Sequence, residues 1–261
     1  MPFLSVNDIK IAYTQQGAGE TVVLLHGLGS CKEEWQPQID ALAQHYQVIA
    51  LDLRGHGATD KPKTGYSITQ FAADVAGLLD ALGHQQVHLI GFSLGGMITL
   101  EFATRYPQRL HSVTIINATP AVVLNTWQIR HFFWKRLLLI RTLGSTYMGK
   151  KIAQMNFPAP EQAALRAQAE KQFGSNDKAA YYRATKALLN WDVRPYLANL
   201  TCPLLAVSSD MDYTPVAAKQ AMVDAVPHGE LQVIANARHL VPMEQPAALN
   251  AVLLAWLAKQ N

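Results

Sequence analysis

The part of the sequence best suited to chemistry is a serine enclosed by glycines. Ser93 stands in G-F-S-L-G, between an apolar run that predicts a strand and a helical pattern that begins at Leu94. A serine at such a joint is held on a tight, strained turn, and the glycines are needed because a Cβ would clash with neighbouring backbone. The first N–H groups of the helix also favour negative charge near the serine. The pattern therefore predicts a nucleophile that attacks a carbonyl carbon.

A serine hydroxyl is a poor nucleophile without a base, so this hypothesis requires a histidine and an acid later in the chain. His239 follows the last predicted strand and precedes the C-terminal helix, and it is the predicted base. The acid is Asp210 or Asp212, which both follow a strand in S-S-D-M-D-Y-T-P. We prefer Asp212, because it lies a few residues beyond the strand and just before Pro215, whereas Asp210 could cap the turn.

Two backbone N–H groups are expected to form an oxyanion hole. One belongs to Leu94, the residue after the nucleophile, and the other to Leu28 in the loop L-L-H-G-L-G-S. Gly27 and Gly29 let this loop turn and face the substrate. His26, at the start of the loop, is predicted to orient its neighbours rather than to act as a second base.

The elements around these residues predict an α/β protein. Short apolar runs suit strands buried on both faces, and helical patterns separate most of them. An N-terminal hairpin is predicted over 3–14, and the further strands are predicted at 22–25, 48–51, 87–90, 113–116, 204–207 and 231–234. Helices are predicted at 35–44, 68–82, 94–106, 214–226 and 246–259. This alternation predicts a mostly parallel central sheet with helices on both faces.

The alternation breaks over residues 120–199, which we call the cap segment. Here the sequence offers helical patterns and no convincing strand. We interpret the segment as a helical insertion over the carboxyl edge of the sheet, where open α/β sheets bind their ligands. The core domain then comprises residues 1–119 and 200–261.

Positive charge is concentrated in the cap segment. Residues 121–160 contain six Lys or Arg and no Asp or Glu, although the formal net charge of the whole chain is only +3. Aromatic residues lie among these cations, at Trp127, Phe132, Phe133 and Trp134. Such a helix can line an apolar pocket, and its cations can attract anionic substrates or make a weak contact with an anionic lipid surface. The simpler interpretation, in which the aromatics pack and the charges are solvated, stays open.

Several classes of protein are disfavoured by composition. The two cysteines, Cys31 and Cys202, are in no spacing typical of a disulfide framework or a zinc site. No apolar stretch reaches the roughly 18 residues of a transmembrane helix, and the N-terminus does not read as a secretory signal. The small net charge comes without a nucleic-acid recognition motif. We therefore expect a cytoplasmic protein that acts on a small molecule without a metal or an organic cofactor, and its oligomeric state is open.

Four motifs together resemble the α/β-hydrolase superfamily over nearly the whole chain outside the cap segment. H-G-L-G-S is similar to its oxyanion segment, D-L-R-G-H-G to its D-x-R-G-x-G turn, G-F-S-L-G-G to its nucleophile elbow and R-H-L-V-P-M-E-Q-P to its catalytic-histidine tail. The resemblance implies structural roles for Asp52, Arg54 and Glu244. The sequence departs from the pattern at Arg238, where a glycine commonly precedes the histidine, and at Ser208-Ser209, which replaces a glycine before the acid.

Within the superfamily the chain resembles small bacterial carboxylesterases, enol-lactonases and meta-cleavage-product hydrolases. It differs from dehalogenases and epoxide hydrolases, which use an aspartate where Ser93 stands. The resulting prediction is a serine hydrolase that cleaves a carboxylic ester through an acyl-enzyme. The alternatives are carbon–carbon or enol-lactone hydrolysis, peracid formation at the same site, and a non-catalytic binder of a hydrophobic ligand on the same fold.

Overall fold

The elements that position the predicted site come from a computed structural model, which describes residues 2–260. The strands of this part of the chain are β1 (Phe3–Val6), β2 (Ile9–Gln16), β3 (Thr21–Leu25), β4 (Gln47–Leu51), β5 (Val87–Phe92), β6 (Leu110–Ile116), β7 (Ala121–Val122), β8 (Trp191–Asp192), β9 (Leu204–Ser209) and β10 (Gly229–Ile234). The α-helices are α1 (Gln36–Leu42), α2 (Ile68–Leu82), α3 (Leu94–Arg105), α4 (Trp127–Asn156), α5 (Ala163–Gly174), α6 (Lys178–Ala187), α7 (Val216–Val223), α8 (Val241–Glu244) and α9 (Pro246–Leu257).

Eight strands form one sheet in the order β1-β2-β4-β3-β5-β6-β9-β10. The hairpin strands β1 and β2 are antiparallel to each other, and β2 is antiparallel to β4. The remaining neighbours in the sheet, β4-β3-β5-β6-β9-β10, are all parallel. The predicted, mostly parallel sheet is thus confirmed. Because the central strands β5, β6 and β9 are parallel neighbours, their carboxyl ends meet at one edge, where open α/β sheets carry their ligand sites.

Both faces of the central sheet are covered by helices. On β3, Val22 and Val23 point to opposite sides and belong to different apolar clusters. One cluster includes Phe71 of α2 and Phe102 of α3, and the other includes side chains of α1 and α9 such as Trp256. This arrangement explains why the central strands are near-continuous apolar runs.

The strand predicted at 231–234 is not buried on both faces. β10 pairs only with β9, so it forms the edge of the sheet, and of its six residues only Ile234 is buried. Val233 is 47% exposed. The sequence does not reveal that this strand lies at the edge, because a short apolar run is compatible with either a central or an edge strand.

The cap segment forms α4, α5 and α6 between β6 and β9. The helical insertion is confirmed, and the structure adds the short antiparallel pair β7–β8, which the sequence did not predict. Each of these strands has two residues, too few to show a periodic pattern. α4 is kinked at Gly144, whose φ of 77° and ψ of −174° are not helical. No helix within residues 2–260 has the length and apolar character required to cross a membrane.

Candidate active site

Ser93 occupies the joint between β5 and α3, as the sequence predicted. Its φ of 54° and ψ of −111° place a non-glycine residue in a sparsely populated conformation. The turn is possible because no Cβ intervenes at the two flanking glycines. A Cβ on Gly91 would lie 2.2 Å from the Gly95 carbonyl oxygen, and one on Gly95 would lie 2.0 Å from the Leu25 carbonyl oxygen. The glycines are therefore required by close backbone approach.

The structure brings Ser93, His239 and Asp212 into one hydrogen-bonded chain. The Ser93 Oγ is 3.0 Å from His239 Nε2, and His239 Nδ1 is 2.5 Å from Asp212 Oδ1. In this geometry the Ser93 hydroxyl can donate to Nε2 while the Nδ1–H group donates to the carboxylate. An imidazole held in this way can take a proton from the serine as its oxygen attacks a carbon.

The two candidate acids have different partners. Asp210 accepts backbone hydrogen bonds from Asn236 at 2.9 Å and from Ala237 at 3.1 Å, and these bonds lower the pKa of its carboxyl. It caps a turn beside the predicted base and makes no hydrogen bond to the imidazole of His239. The contact with His239 is made by Asp212, the acid preferred from the sequence.

Asp212 is held in its ionised form by two donors. Burial raises the pKa of this carboxyl, but hydrogen bonds from His239 and Lys219 outweigh burial and bring the pKa below its usual range. Lys219 Nζ lies 2.5 Å from Asp212 Oδ2 and 3.0 Å from the Thr214 carbonyl oxygen, and the lysine is 2% exposed. Lys219 was not predicted from the sequence. A signal was present, since it precedes the buried Met222 and Val223 by three and four residues on one helix face.

Two further residues, which were not predicted from the sequence, hold His239 in place. The Tyr213 ring stacks on the imidazole with centroids 4.3 Å apart, and the Tyr213 hydroxyl accepts a hydrogen bond from Asn156. Asn117, at the carboxyl end of β6, donates to the His239 carbonyl oxygen at 3.0 Å and accepts from the Ser209 N–H at 2.8 Å. These contacts fix both the ring and the backbone of the predicted base.

The backbone N–H groups of Leu28 and Leu94 are both available to a ligand. Leu94 is the first residue of α3, so its N–H has no intrahelical acceptor. The N–H of Leu28 makes no hydrogen bond with any residue in the range 2–260. The loop around Leu28 is tied to the cap segment, because Asn176 donates to the Gly29 carbonyl oxygen at 2.6 Å. Gly29 has a φ of +80°, which suits glycine.

His26 uses both ring nitrogens to hold backbone. Its Nδ1 is 2.8 Å from the Gly27 carbonyl oxygen, and its Nε2 accepts a hydrogen bond from the Leu53 N–H at 3.0 Å. Burial lowers the pKa of His26 to about 4, so the ring is neutral at physiological pH. With both nitrogens occupied, His26 orients the loop that carries Leu28, in agreement with the role predicted from the sequence.

A cavity of about 690 Å³ opens in front of Ser93 and His239. The cap segment supplies much of its apolar lining, including Phe132, Phe133, Leu139, Met148, Ile152 and Met155. Trp127 and Trp134 instead point outward and are 67% and 61% exposed. The aromatic helix of the cap segment therefore lines the cavity with one face only. Phe157 and Tyr181 of the cap segment are buried, and Met148 and Met155 border the cavity.

Residues outside the cavity account for the remaining motifs. Asp52 accepts hydrogen bonds from the backbone N–H groups of Lys32 and Ala58, and the carboxylate of Glu244 accepts one from the N–H of Arg238. Arg54 forms a bidentate ion pair with the buried carboxylate of Asp74 through its Nε and Nη2. These contacts support loops around the site without reaching Ser93. Within residues 2–260, no group of three or more His, Cys, Asp or Glu side chains is arranged to hold a metal ion.

Comparison with known proteins gives the same architecture. Residues 20–246 match the sequence model of the family described as alpha/beta hydrolase fold. The chain is 32% identical over 260 residues to the putative carbamate hydrolase RutD of Pantoea ananatis, covering 96% of this chain and 93% of that protein. It is 29% identical to 3-oxoadipate enol-lactonase 2 of Acinetobacter baylyi, and the match covers 99% of this chain and 97% of that protein. The crystal structure of the enol-lactonase from Burkholderia xenovorans LB400 superposes with a TM-score of 0.91 at 26% identity, covering 98% of this chain and all of that one.

Proposed function

Because this chain belongs to the α/β-hydrolase family, we propose that it is a serine hydrolase that cleaves carboxylic esters through an acyl-enzyme. The observation that carries the proposal is the hydrogen-bonded chain from Ser93 through His239 to Asp212, at the wall of a cavity with room for a small to medium acyl group. A binding protein has no need of a base aligned on a strained serine.

The reaction begins when the Ser93 oxygen attacks the ester carbonyl carbon and its proton passes to His239 Nε2. Negative charge develops on the carbonyl oxygen, where the Leu28 and Leu94 N–H groups stabilise it. Asp212 stabilises the imidazolium that forms. His239 then gives the proton to the departing alcohol, and the acyl group stays on Ser93.

Deacylation repeats these steps with water. His239 removes a proton from a water molecule, the hydroxide attacks the acyl carbon, and the same N–H groups hold the second oxyanion. Collapse of this intermediate releases the carboxylic acid and returns the proton to Ser93. The Tyr213 ring and Asn117 keep His239 in place through both halves of the cycle.

Cleavage of an enol-lactone is the second candidate, favoured by the enol-lactonase from Acinetobacter baylyi, which aligns over nearly the whole chain. An enol-lactone is an internal ester, so the same attack on a carbonyl carbon applies. The leaving group then stays tethered to the acyl group, and a cavity closed by the cap segment must admit a ring.

The proposal is tested first by covalent labelling. A fluorophosphonate should form an adduct on Ser93 that is lost in Ser93→Ala, and the purified protein should hydrolyse p-nitrophenyl esters with a preference set by acyl length. An enol-lactone, a carbamate and a vinylogous diketone belong in the same panel. An adduct together with turnover of the lactone alone would replace the ester assignment by the second candidate. Absence of an adduct, with a hydrophobic ligand bound, would establish a binding protein instead.

A further inference from the structure

The charged residues that line the cavity all have the same sign. Lys135, Arg136 and Lys151 border it, and none of the described residues in its lining is Asp or Glu. All three come from α4, in a stretch that holds no acidic residue between positions 121 and 160. The site that we propose for ester cleavage is thus an apolar cavity with a cationic wall.

Arg136 is the cation best placed to bind a ligand. The residue is half-buried, and its Nη2 donates a hydrogen bond to the Tyr181 hydroxyl at 2.8 Å. Its Nε is buried and makes no hydrogen bond with any residue in the range 2–260, and no ion pair within that range includes its guanidinium. The charge of this half-buried guanidinium thus has no anionic partner among residues 2–260, and its place in the cavity lining favours an anion supplied from outside the chain.

Tyr181 places Arg136 on the same side of the cavity as the proposed oxyanion loop. The tyrosine is 1% exposed, and a Cβ on Gly29 would lie 2.8 Å from Tyr181 Cε2, so the ring packs directly on the loop. Leu28 packs against the same buried cluster. An anion bound by Arg136 therefore lies in the cavity on the side of the oxyanion loop.

We infer that the enzyme acts on esters whose acyl part carries a carboxylate, and that Arg136 binds this carboxylate while Ser93 attacks the ester carbonyl a short chain away. The guanidinium suits this role because it is permanently charged and offers planar, directional donors to a carboxylate. The apolar lining accommodates the methylene chain between the two groups. Lys135 and Lys151, both exposed, add positive potential at the entrance.

This inference rests on the proposed ester hydrolysis and names its substrate class. The test compares monoethyl glutarate with ethyl 5-methylhexanoate, in which an isopropyl group of similar shape replaces the carboxylate, by measuring ethanol release. Ethyl 5-aminopentanoate, with a cationic end, completes the series. We expect the highest kcat/KM for the carboxylate and the lowest for the amine, with the preference for the carboxylate reduced at high salt.

Variants of α4 locate the preference. Arg136→Gln should lower the ratio of kcat/KM for the carboxylate over the isopropyl ester by about 10- to 100-fold, as expected for loss of a charge-assisted hydrogen bond. Arg136→Lys should recover part of the ratio, because it restores the charge without the planar donors. Arg141→Gln is the matched control, since Arg141 is an exposed arginine of the same helix outside the cavity lining, and the ratio should keep its wild-type value.

Binding supplies a readout that does not depend on turnover. Calorimetric titration with glutarate should show binding to the wild-type protein and to Arg141→Gln, and weaker binding to Arg136→Gln. If neutral esters are cleaved as well as carboxylate esters and glutarate does not bind, the carboxylate assignment is wrong while ester hydrolysis stands. If Ser93 takes no fluorophosphonate and no ester is cleaved, the proposed function fails, and glutarate binding then decides the role of Arg136 separately.

Discussion

Lys219 and His239 contact opposite oxygens of one carboxylate, with Lys219 Nζ 2.5 Å from Asp212 Oδ2 and His239 Nδ1 2.5 Å from Oδ1. The Asp212 side chain is 1% exposed and that of Lys219 is 2% exposed, so this pair is shielded from solvent. A buried carboxylate with a single partner can turn about its terminal bond. With Lys219 on the second oxygen, the carboxylate plane is held in the orientation that the imidazole requires.

Replacement of Lys219 by Met should affect both stability and activity. The change leaves Asp212 buried with one partner fewer, and we expect a loss of about 3 kcal/mol in the free energy of unfolding, measured in urea. Lys259→Met is the matched control, because it breaks an exposed pair with Glu230 and should cost less than about 1 kcal/mol.

The kinetic effect separates positioning from plain structural support. Without the lysine, the Asp212 carboxylate can turn away from His239, so kcat should fall while KM stays near its wild-type value. Lys219→Arg should retain most of the wild-type kcat. A Lys219→Met protein that is less stable but keeps the wild-type kcat would reduce Lys219 to a structural residue.

The two aspartates of the S-S-D-M-D loop should give opposite results on substitution by asparagine. Asp212→Asn removes the acceptor that selects the imidazole tautomer, and kcat should fall by up to about 10⁴-fold, as expected for a Ser-His-Asp arrangement. Asp210→Asn keeps one of the two oxygens that accept from the Asn236 and Ala237 N–H groups, and it should alter kcat by less than about threefold while lowering stability slightly. Steady-state kinetics on one p-nitrophenyl ester is sufficient, and equal losses in the two variants would contradict the assignment.

The sequence predicted those elements whose ends carry local signals. α2 was predicted at its exact bounds, because Ser67 accepts a hydrogen bond from the Gln70 N–H at its start and Gly83 adopts a left-handed conformation at its end. The strand, serine and helix at β5–α3 were equally clear. The pair β7–β8 escaped prediction because its order comes from distant partners, such as the bond from the Asn190 N–H to the Val122 carbonyl oxygen.

Only those residues of the candidate site that residue type and position along the chain identify could be predicted from the sequence. Ser93 and His239 could be named because each follows a strand at the carboxyl edge of the sheet. The sequence could not choose firmly between Asp210 and Asp212, because the choice depends on which carboxylate turns toward the imidazole. Helical spacing places Lys219 on the buried face of α7, but its pairing with Asp212 depends on how α7 docks on the core. The role of Arg136 depends on the fold of the cap segment onto the core, which local spacing does not show.

Glu34 should make stability fall as pH rises through the weakly acidic range. Burial raises the pKa of its carboxyl to about 7, and contacts with Ser30 and Gly27 oppose only part of this rise. Because the folded-state pKa lies above the unfolded value of about 4.5, the stabilising contribution is complete below pH 4.5 and is lost as pH rises to about 7. Glu34→Gln should therefore gain stability relative to wild type over this range, by about 3 kcal/mol in total.

The neighbouring Glu33 gives the matched control for this pH dependence. Burial acts to raise the pKa of Glu33 as well, but hydrogen bonds, chiefly from Lys32, bring it below its usual range, and its side chain is 62% exposed. Glu33→Gln should therefore show a small change of the opposite sign below about pH 4.5, where its relative stability falls as the pH rises, and no further change from pH 4.5 to 7. Urea unfolding of the three proteins at several pH values checks both signs. A difference between Glu34→Gln and wild type that stays constant with pH would show that Glu34 is ionised in the folded protein.

Gly95 should be the least replaceable glycine of the site, for a reason that can be separated from general helix stability. A Cβ at this position would lie 2.0 Å from the Leu25 carbonyl oxygen and 2.9 Å from that of His26, so Gly95→Ala must push α3 away from the loop that carries Leu28. Gly174→Ala is the control. Its added Cβ meets nothing closer than 3.5 Å, and alanine at the end of α5 should be neutral or stabilise by up to about 1 kcal/mol.

We expect Gly95→Ala to lose fluorophosphonate labelling of Ser93 along with several degrees of Tm, as thermal unfolding and mass spectrometry would measure. Full labelling at an unchanged Tm would mean that the elbow can relax around a methyl group, and the close approach of α3 to β3 would then not be what holds Ser93 in its strained conformation.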